Sequence, residues 1–432
     1  MRQILGRFAF MIYGPTALFS IGQGAVVPLI PVYAVERGAD AALGALIAGF
    51  LVVGQLCGNL PGGWLAARIG ERYTMAISSV VSLIGVLGMA LLPGLPALGI
   101  STFLMGLGAA GFGIARHAFM TTRVPLAFRA RALALLGGSF RLGTFIGPFL
   151  AAGLVALTGS GGAGIWLLLV LLIAVLALVL FGPDPEEAAE ARPARRLNAA
   201  REPFIAEDTG EAVTEGLPTV GATARIGLLR VIWRNRRVLS RLGIASASLA
   251  AVRSAKQTVL PIVGVELGLD AGQISLVVGI AGAVEFALFY ASGQVMDRFG
   301  RLWAVLPSML LMGFAFLGLA LVLGLGGGDL WFPALAVVIG VGNGLSAGIL
   351  LTLGADTAPQ DDPAPYLGAW RTLTDGGGAA APLIFSALTA AASIVWATAA
   401  MGVLGLLGAV AFLRWVPMFV PEARSDRPEP GR

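Results

Sequence analysis

The sequence predicts an all-α polytopic membrane protein, with twelve transmembrane helices in two pseudo-symmetric six-helix bundles. Three observations carry that prediction. Of 432 residues, 57% are hydrophobic and 12% charged, where a soluble domain carries roughly a quarter charged; the mean hydropathy is +0.86. Apolar stretches near the ~20 residues needed to cross a bilayer recur along most of the chain. Blocks of sequence also repeat at a fixed shift of 230 positions.

The N-terminus, MRQILGRF, places Arg2 and Arg7 ahead of an apolar stretch that runs to about Tyr33. That is too long for the apolar region of a signal peptide, so it reads as an uncleaved first span. Spans two to six follow at about 41–61, 74–92, 95–121, 132–157 and 163–182, making residues 1–182 a first bundle. Residues 183–221, rich in Pro, Glu, Ala and Arg, read as disordered linker. In 222–238, ATARIGLLRVIWRNRRV, Ile226, Leu229, Ile232 and Trp233 fall near one helical face, with the arginines largely elsewhere. That pattern suggests an amphipathic helix lying on the membrane. Six more spans, at about 239–265, 272–292, 303–323, 331–354, 367–391 and 393–416, make a second bundle over 239–416, with a cytoplasmic tail at 417–432.

Twelve spans put both termini on one side. Loops on that side hold Arg68, Arg72, Arg123, Arg129, Arg131, Arg298 and Arg301 together with the Arg-rich break; the other side holds Arg37 with several acids. The excess of arginine predicts cytoplasmic termini in a cell (inner) membrane.

The repeat is explicit in PVYAVERGAD at 31 and PIVGVELGLD at 261. The same shift pairs Gly63 with Gly293, Arg68 with Arg298, Gly70 with Gly300, Gly138 with Gly368 and Arg141 with Arg371; it drifts to 234 where MGLGAAG at 105 meets IGVGNGL at 339. Two similar halves of this kind are a transporter architecture with a site at their interface.

At this point the residues resemble the major facilitator superfamily, over nearly the whole chain. GQVMDRFGR, 293–301, looks like that family's signature loop between its second and third helices, here in the second half. GSFRLGTFIGP, with Gly138, Gly147 and Pro148, is similar to the helix-5 motif of drug/proton antiporter-like branches, although Ala151-Ala152 stands where a Gly pair is usual. The helix-4 Arg of proton-coupled drug exporters is absent: Thr102 occupies its place, and Arg116 lies lower in the helix. The resemblance implies a cytoplasmic gate of Gly293, Asp297, Arg298, Gly300 and Arg301, with Asp297 facing a helix N-terminus. Arg301 needs an acid nearby, and Asp356 is the best placed. The first-half copy, GWLAARIGER, has Ala67 for Asp297 and Glu71 for Arg301, and a reversed Glu71–Arg123 pair is open.

Seven charges lie inside spans: Arg116, Arg141, Arg253, Lys256, Glu285, Arg371 and Asp375. A charge at the bilayer centre costs ~3 kcal/mol or more, so retained ones point to a polar cavity. Five are positive and two negative, which favours an anionic or acid-bearing substrate. Gln23, Gln55 and Asn343 complete the cavity candidates. Glu285, Asp375 and His117 are the candidate proton carriers. For Glu285 two arrangements stand open, an isolated carboxyl that exchanges protons or an ion pair with Lys256 or Arg253. Arg141 and Arg371, pseudo-equivalent, are candidates for bracing helices as well. The single Cys57 reads as a small buried hydrophobe.

The expected function is secondary transport by alternating access. The helix-5 motif tilts toward efflux, in exchange for protons, of a small amphipathic or organic-anion-like compound. The alternatives are proton-linked uptake of an organic anion and a non-transporting receptor on the same fold. One His and one Cys give no metal or acid–base constellation, so no enzyme, cofactor or metal is expected. No GxxxxGK[ST] loop occurs to bind ATP. Partners are the substrate, protons and the bilayer, with no nucleic acid, and the chain is expected to be a monomer.

Overall fold

The structure, a computed structural model, describes residues 12–123, 126–182, 233–326, 330–359 and 363–420. Among them there is no strand. Helix α1 spans Gly14–Glu36 with a 3₁₀ turn at Val27–Leu29. Then come α2 (Ala41–Ile69), α3 (Glu71–Leu91), α4 (Leu95–Arg123), α5 (Leu126–Thr158) and α6 (Ala163–Phe181). The second half holds α7 (Ile244–Glu266), α8 (Ala271–Phe299), α9 (Arg301–Gly324), α10 (Trp331–Leu345 and Ile349–Thr357), α11 (Pro363–Ala391) and α12 (Ile394–Phe419). Ten of the twelve are long and apolar enough to cross a membrane; the other two, α7 and α11, carry Arg253 with Lys256 and Arg371 with Asp375. The linker and residues 222–232 of the amphipathic stretch at 222–238 lie outside the described residues.

The repeat is visible as matched local geometry. Asp40 and Asp270 each accept a bond from a backbone N–H three residues on, Leu43 at 2.8 Å and Gln273 at 2.9 Å, and so cap α2 and α8. At the far ends of these helices, Gly70 (φ 84°) and Gly300 (φ 95°) turn the chain into α3 and α9. A positive φ is open to glycine without steric cost, which accounts for that residue at both turns.

Three expectations are corrected. The stretch 293–301 is not a loop: it is helical through Phe299, and Gly300 alone makes the turn. A helix of 29 residues is about 43 Å long at 1.5 Å per residue. It outreaches a ~30 Å hydrocarbon core and carries its charges into the headgroup zone. Span ten is interrupted at Ser346–Gly348, where Gly348 has φ 90°. The tail does not begin at 417, because α12 continues through Pro417 to Phe419.

Two buried apolar clusters form, one built almost entirely from α1–α6 and the other from α7–α12. The halves meet near the Asp40/Asp270 end. There the Ser386 hydroxyl of α11 donates to the Ala42 carbonyl of α2 at 2.7 Å, and Gly49 lies against Pro382 and Leu383. Gly272 and Gly279 of α8 lie against Val155 and Phe149 of α5.

Candidate functional site

Between the halves lies a cavity of about 380 Å³, walled by α1, α2, α4 and α5 from one side and α7 and α8 from the other. Six of the eight cavity candidates line it: Gln23, Gln55, Arg116, Arg141, Arg253 and Lys256. So do His117 and Glu285. Arg371, Asp375 and Asn343 do not. Arg371 and Asp375 pair along α11 at 3.7 Å, and Asn343 sits behind Arg253 in α10.

Helical spacing explains the second-half cluster. Arg253 and Lys256, three residues apart, share one face of α7. Lys256 Nζ meets the Glu285 carboxylate of α8 in an ion pair and hydrogen bond. Glu285 is thus paired rather than isolated. Arg253 reaches the other way: its Nε donates to Asn343 Oδ1 at 2.7 Å and its guanidinium to the Ser346 carbonyl at 3.5 Å. Those contacts land on the interruption of α10. Ser292 of α8 donates there as well, to the Leu345 and Ala347 carbonyls at 2.7 and 2.9 Å. An interrupted helix inside a bilayer survives only where protein groups take up its freed carbonyls; Arg253 and Ser292 do that here.

The first-half cluster is built on rings. Arg116 and His117 are both buried. The Arg116 guanidinium lies 5.1 Å from the Phe140 ring, and His117 Nδ1 donates to the Gly113 carbonyl at 2.9 Å. Arg141 of α5 reaches across to α8, 3.9 Å from the Phe289 ring. Beside it Phe145 stacks on Phe286 at 5.7 Å, also across the halves. Phe19 and Phe112 stack at 4.5 Å on the opposite wall.

The cavity is therefore basic and aromatic. Its wall holds Arg116, Arg141, Arg253 and Lys256 against one carboxylate, Glu285. Desolvated cations facing ring faces and an apolar wall suit an anion with an apolar body. The sequence reading missed Asn59, Gln257 and the phenylalanines. Asn59 stood one turn from Gln55 and Gln257 next to Lys256, signals that were legible; the phenylalanines resemble those of any membrane helix.

At the arginine-rich end, Arg301 Nε donates to Asp356 Oδ2 at 2.9 Å, and its guanidinium lies 3.4 Å from Asp297. Asp297 is largely exposed, and Arg298 lies 5.5 Å from the Phe299 ring. The family resemblance gives Asp297 the N-terminus of α11 to face; residues 360–362 ahead of that helix and the side chains of its first turn lie outside the described set, as does the Arg123 side chain. Gly138 and Gly293 have open space around them. Gly147, by contrast, is pressed against the Ile21 and Ala25 backbone of α1, so the helix-5 motif serves close packing, and α5 runs unbroken past Pro148. Cys57 is exposed, not buried: it lies on a face of α2 turned away from the apolar core.

A family model described as Major Facilitator Superfamily matches residues 16–382. The chain belongs to that superfamily. Two curated relatives, uncharacterized MFS-type transporters of Mycobacterium tuberculosis strains CDC 1551 and H37Rv, are 25% identical over 390 residues. The match covers 82% of this chain and 55% of theirs, so the chain spans about half the length of the curated relatives it matches. An uncharacterized MFS-type transporter of Bacillus subtilis, YfiU, is 30% identical over 138 residues, 32% of this chain and 26% of its own. Among solved structures, an auto-inhibited POT family peptide transporter superposes with a TM-score of 0.70 at 15% identity, covering 99% of both chains. A POT family transporter in complex with a thioalcohol-conjugated peptide gives 0.72 at 14%, covering 96% of both. At such identity the likeness concerns the fold. It is the superfamily fold of twelve helices in two six-helix bundles.

Proposed function

We propose that this superfamily member is a secondary transporter working by alternating access on a small organic anion with an apolar or aromatic body, with protons as the coupling ion. The observation that carries the reading is the cavity itself, four cations and one paired carboxylate between aromatic walls. Residues 1–182 and 239–416 act as the two moving units, and the arginine-rich end faces the cytoplasm. Contacts between the halves near the Asp40/Asp270 end support an inward-facing reading of this state.

The helix-5 motif supports efflux in exchange for protons. The Lys256–Glu285 pair supports the second reading, uptake of the anion together with a proton. A substrate carboxylate and Glu285 compete for one ammonium group. Protonating Glu285 releases Lys256, so proton and anion load together, and linkage makes that coupling reciprocal. Between the two, the geometry favours co-transport.

The test is flux in proteoliposomes with an imposed pH gradient, using a panel of aromatic and aliphatic carboxylates. Co-transport accumulates the anion in the alkaline compartment, and exchange accumulates it in the acidic one. Glu285→Gln is expected to abolish pH-driven accumulation while substrate binding survives. Undiminished pH-driven flux in that variant removes Glu285 from the coupling.

A further inference from the structure

A second basic–aromatic cluster lies outside the cavity, at the arginine-rich end, where the start of the second half meets the end of the chain. The π-helical turn Leu239–Gly243 leads into α7. Arg241, in the middle of that turn, stands 4.6 Å from the Trp415 ring of α12 and donates to Met418 Sδ at 3.8 Å. Arg414 stands 5.2 Å from the same ring. One indole thus carries two guanidiniums, both exposed. A further cation–ring contact, Arg236 over Trp233 at 4.4 Å, lies just before the turn. Neither 233–265 nor 394–420 contains an Asp or Glu.

Arginines at this end are expected from topology alone. Two of them gathered on one ring, against mutual repulsion and without an acid in either segment, are not. Trp415 lies in the last turns of α12, at the level of the membrane–water boundary where indoles settle. Below it, Val403, Leu407 and Val410 are exposed, and they continue onto Arg414 at intervals of four, three and four residues. That spacing is a single face of α12: an apolar stripe as long as part of an acyl chain, ending at Arg414, which shares the Trp415 ring with Arg241.

We propose that this face binds an anionic phospholipid. Its phosphate sits between Arg241 and Arg414, and one acyl chain lies along Leu407 and Val410. Arginine forks match phosphate oxygens bidentately, and Trp415 holds both guanidiniums at the depth of the headgroup. Charge complementarity selects anionic over zwitterionic lipid, and the stripe selects a lipid over a free phosphate. The site touches the base of α7, the helix that carries Arg253 and Lys256.

The experiment is native mass spectrometry of the full chain in neutral detergent, with phosphatidylglycerol, phosphatidylcholine and inorganic phosphate as separate probes. The wild type is expected to retain phosphatidylglycerol in preference to phosphatidylcholine. Removing both guanidiniums in R241A/R414A should lower that retention roughly thirtyfold, since each basic residue at an anionic surface contributes similarly. Leu407→Asn, which touches no arginine, should weaken lipid retention as well. Equal retention of the two lipids, full retention by R241A/R414A, or displacement by inorganic phosphate would overturn the proposal. If R241A/R414A does not fold, the Leu407→Asn arm and the lipid comparison decide it: unchanged phosphatidylglycerol retention in Leu407→Asn means the lipid binds elsewhere and overturns the site.

Discussion

Helices α4 and α10 occupy equivalent places in the two halves, yet α4 runs unbroken from Leu95 to Arg123 while α10 parts at Ser346–Gly348. The 234 shift sets Ala109 against Asn343 and Phe112 against Ser346, so α4 has nothing there that bonds backbone or a neighbouring Arg. The facing helices differ in the same sense. At the 230 shift Gln23 stands for Arg253 and Gln55 for Glu285. Close-packing glycines, caps and turns are symmetric; the polar groups at these matched positions are not. The second half keeps its charges because one of them, Arg253, does two jobs. It lines the cavity, and it bonds the Asn343 side chain and the Ser346 carbonyl of an interrupted helix whose lower segment carries Asp356, the partner of Arg301. A charge at the cavity wall and a contact at the arginine-rich end are thus joined through one helix.

The sharpest break of this asymmetry is Lys256→Ala. It strands a half-buried carboxylate on the cavity wall, a change that costs less than the roughly 3–5 kcal/mol of a fully buried pair and more than a surface one. Thermal unfolding in detergent should show a large drop, and pH-driven flux should vanish. Lys256→Ala with Glu285→Ala should recover much of the stability and none of the coupling. A double variant no more stable than the single one would mean that the pair is not the unit described. Gln55→Ala, the matched first-half site, should be mild.

A smaller effect tests the symmetric side. Gly147 and Gly377 correspond at the 230 shift, and a Cβ at either would collide with a carbonyl oxygen of the facing helix, Ile21 or Ala247. Gly147→Leu and Gly377→Leu should each cost about 1–3 kcal/mol, in equal measure, with Gly138→Ala as a silent control. Unequal losses, read as folded yield and melting temperature, would confine the symmetry to sequence. The smallest is Asp356→Asn. A half-exposed ion pair contributes about 1 kcal/mol or less, enough to shift a near-balanced population between facing states. Accessibility labelling of α8 and α10 at the arginine-rich end should change, while Glu71→Gln in the first half should leave it alone. No change in the former ends the gating role of Asp356.

Much of this was legible before the structure. Apolar length gave the spans, and the arginine distribution ordered the loops. Gln55, Glu285, Arg253 and Lys256 stood out because lipid makes polar groups in spans conspicuous. The α10 interruption was not legible. Gly342, Gly344 and Gly348 look like ordinary close-packing residues, and the bonds that permit the break come from α7 and α8, far away in the chain. The extension of α8 through Arg298 was missed for a related reason. Gly and charge together suggest a loop, whereas Gly293 lies mid-helix with room around it and the turn needs one glycine alone. The displacement of Arg371 and Asp375 from the cavity depends on the rotation of α11, which periodicity does not specify when Gly376, Gly377 and Gly378 blur its faces.

Lys256 is the only lysine in the chain, so the protein has a single side-chain amine, and that amine sits in the cavity engaged with Glu285. An acylating reagent then becomes a footprint of one bond. The rate at which this amine is modified reports how often the pair opens, with no engineered label and no background from other lysines.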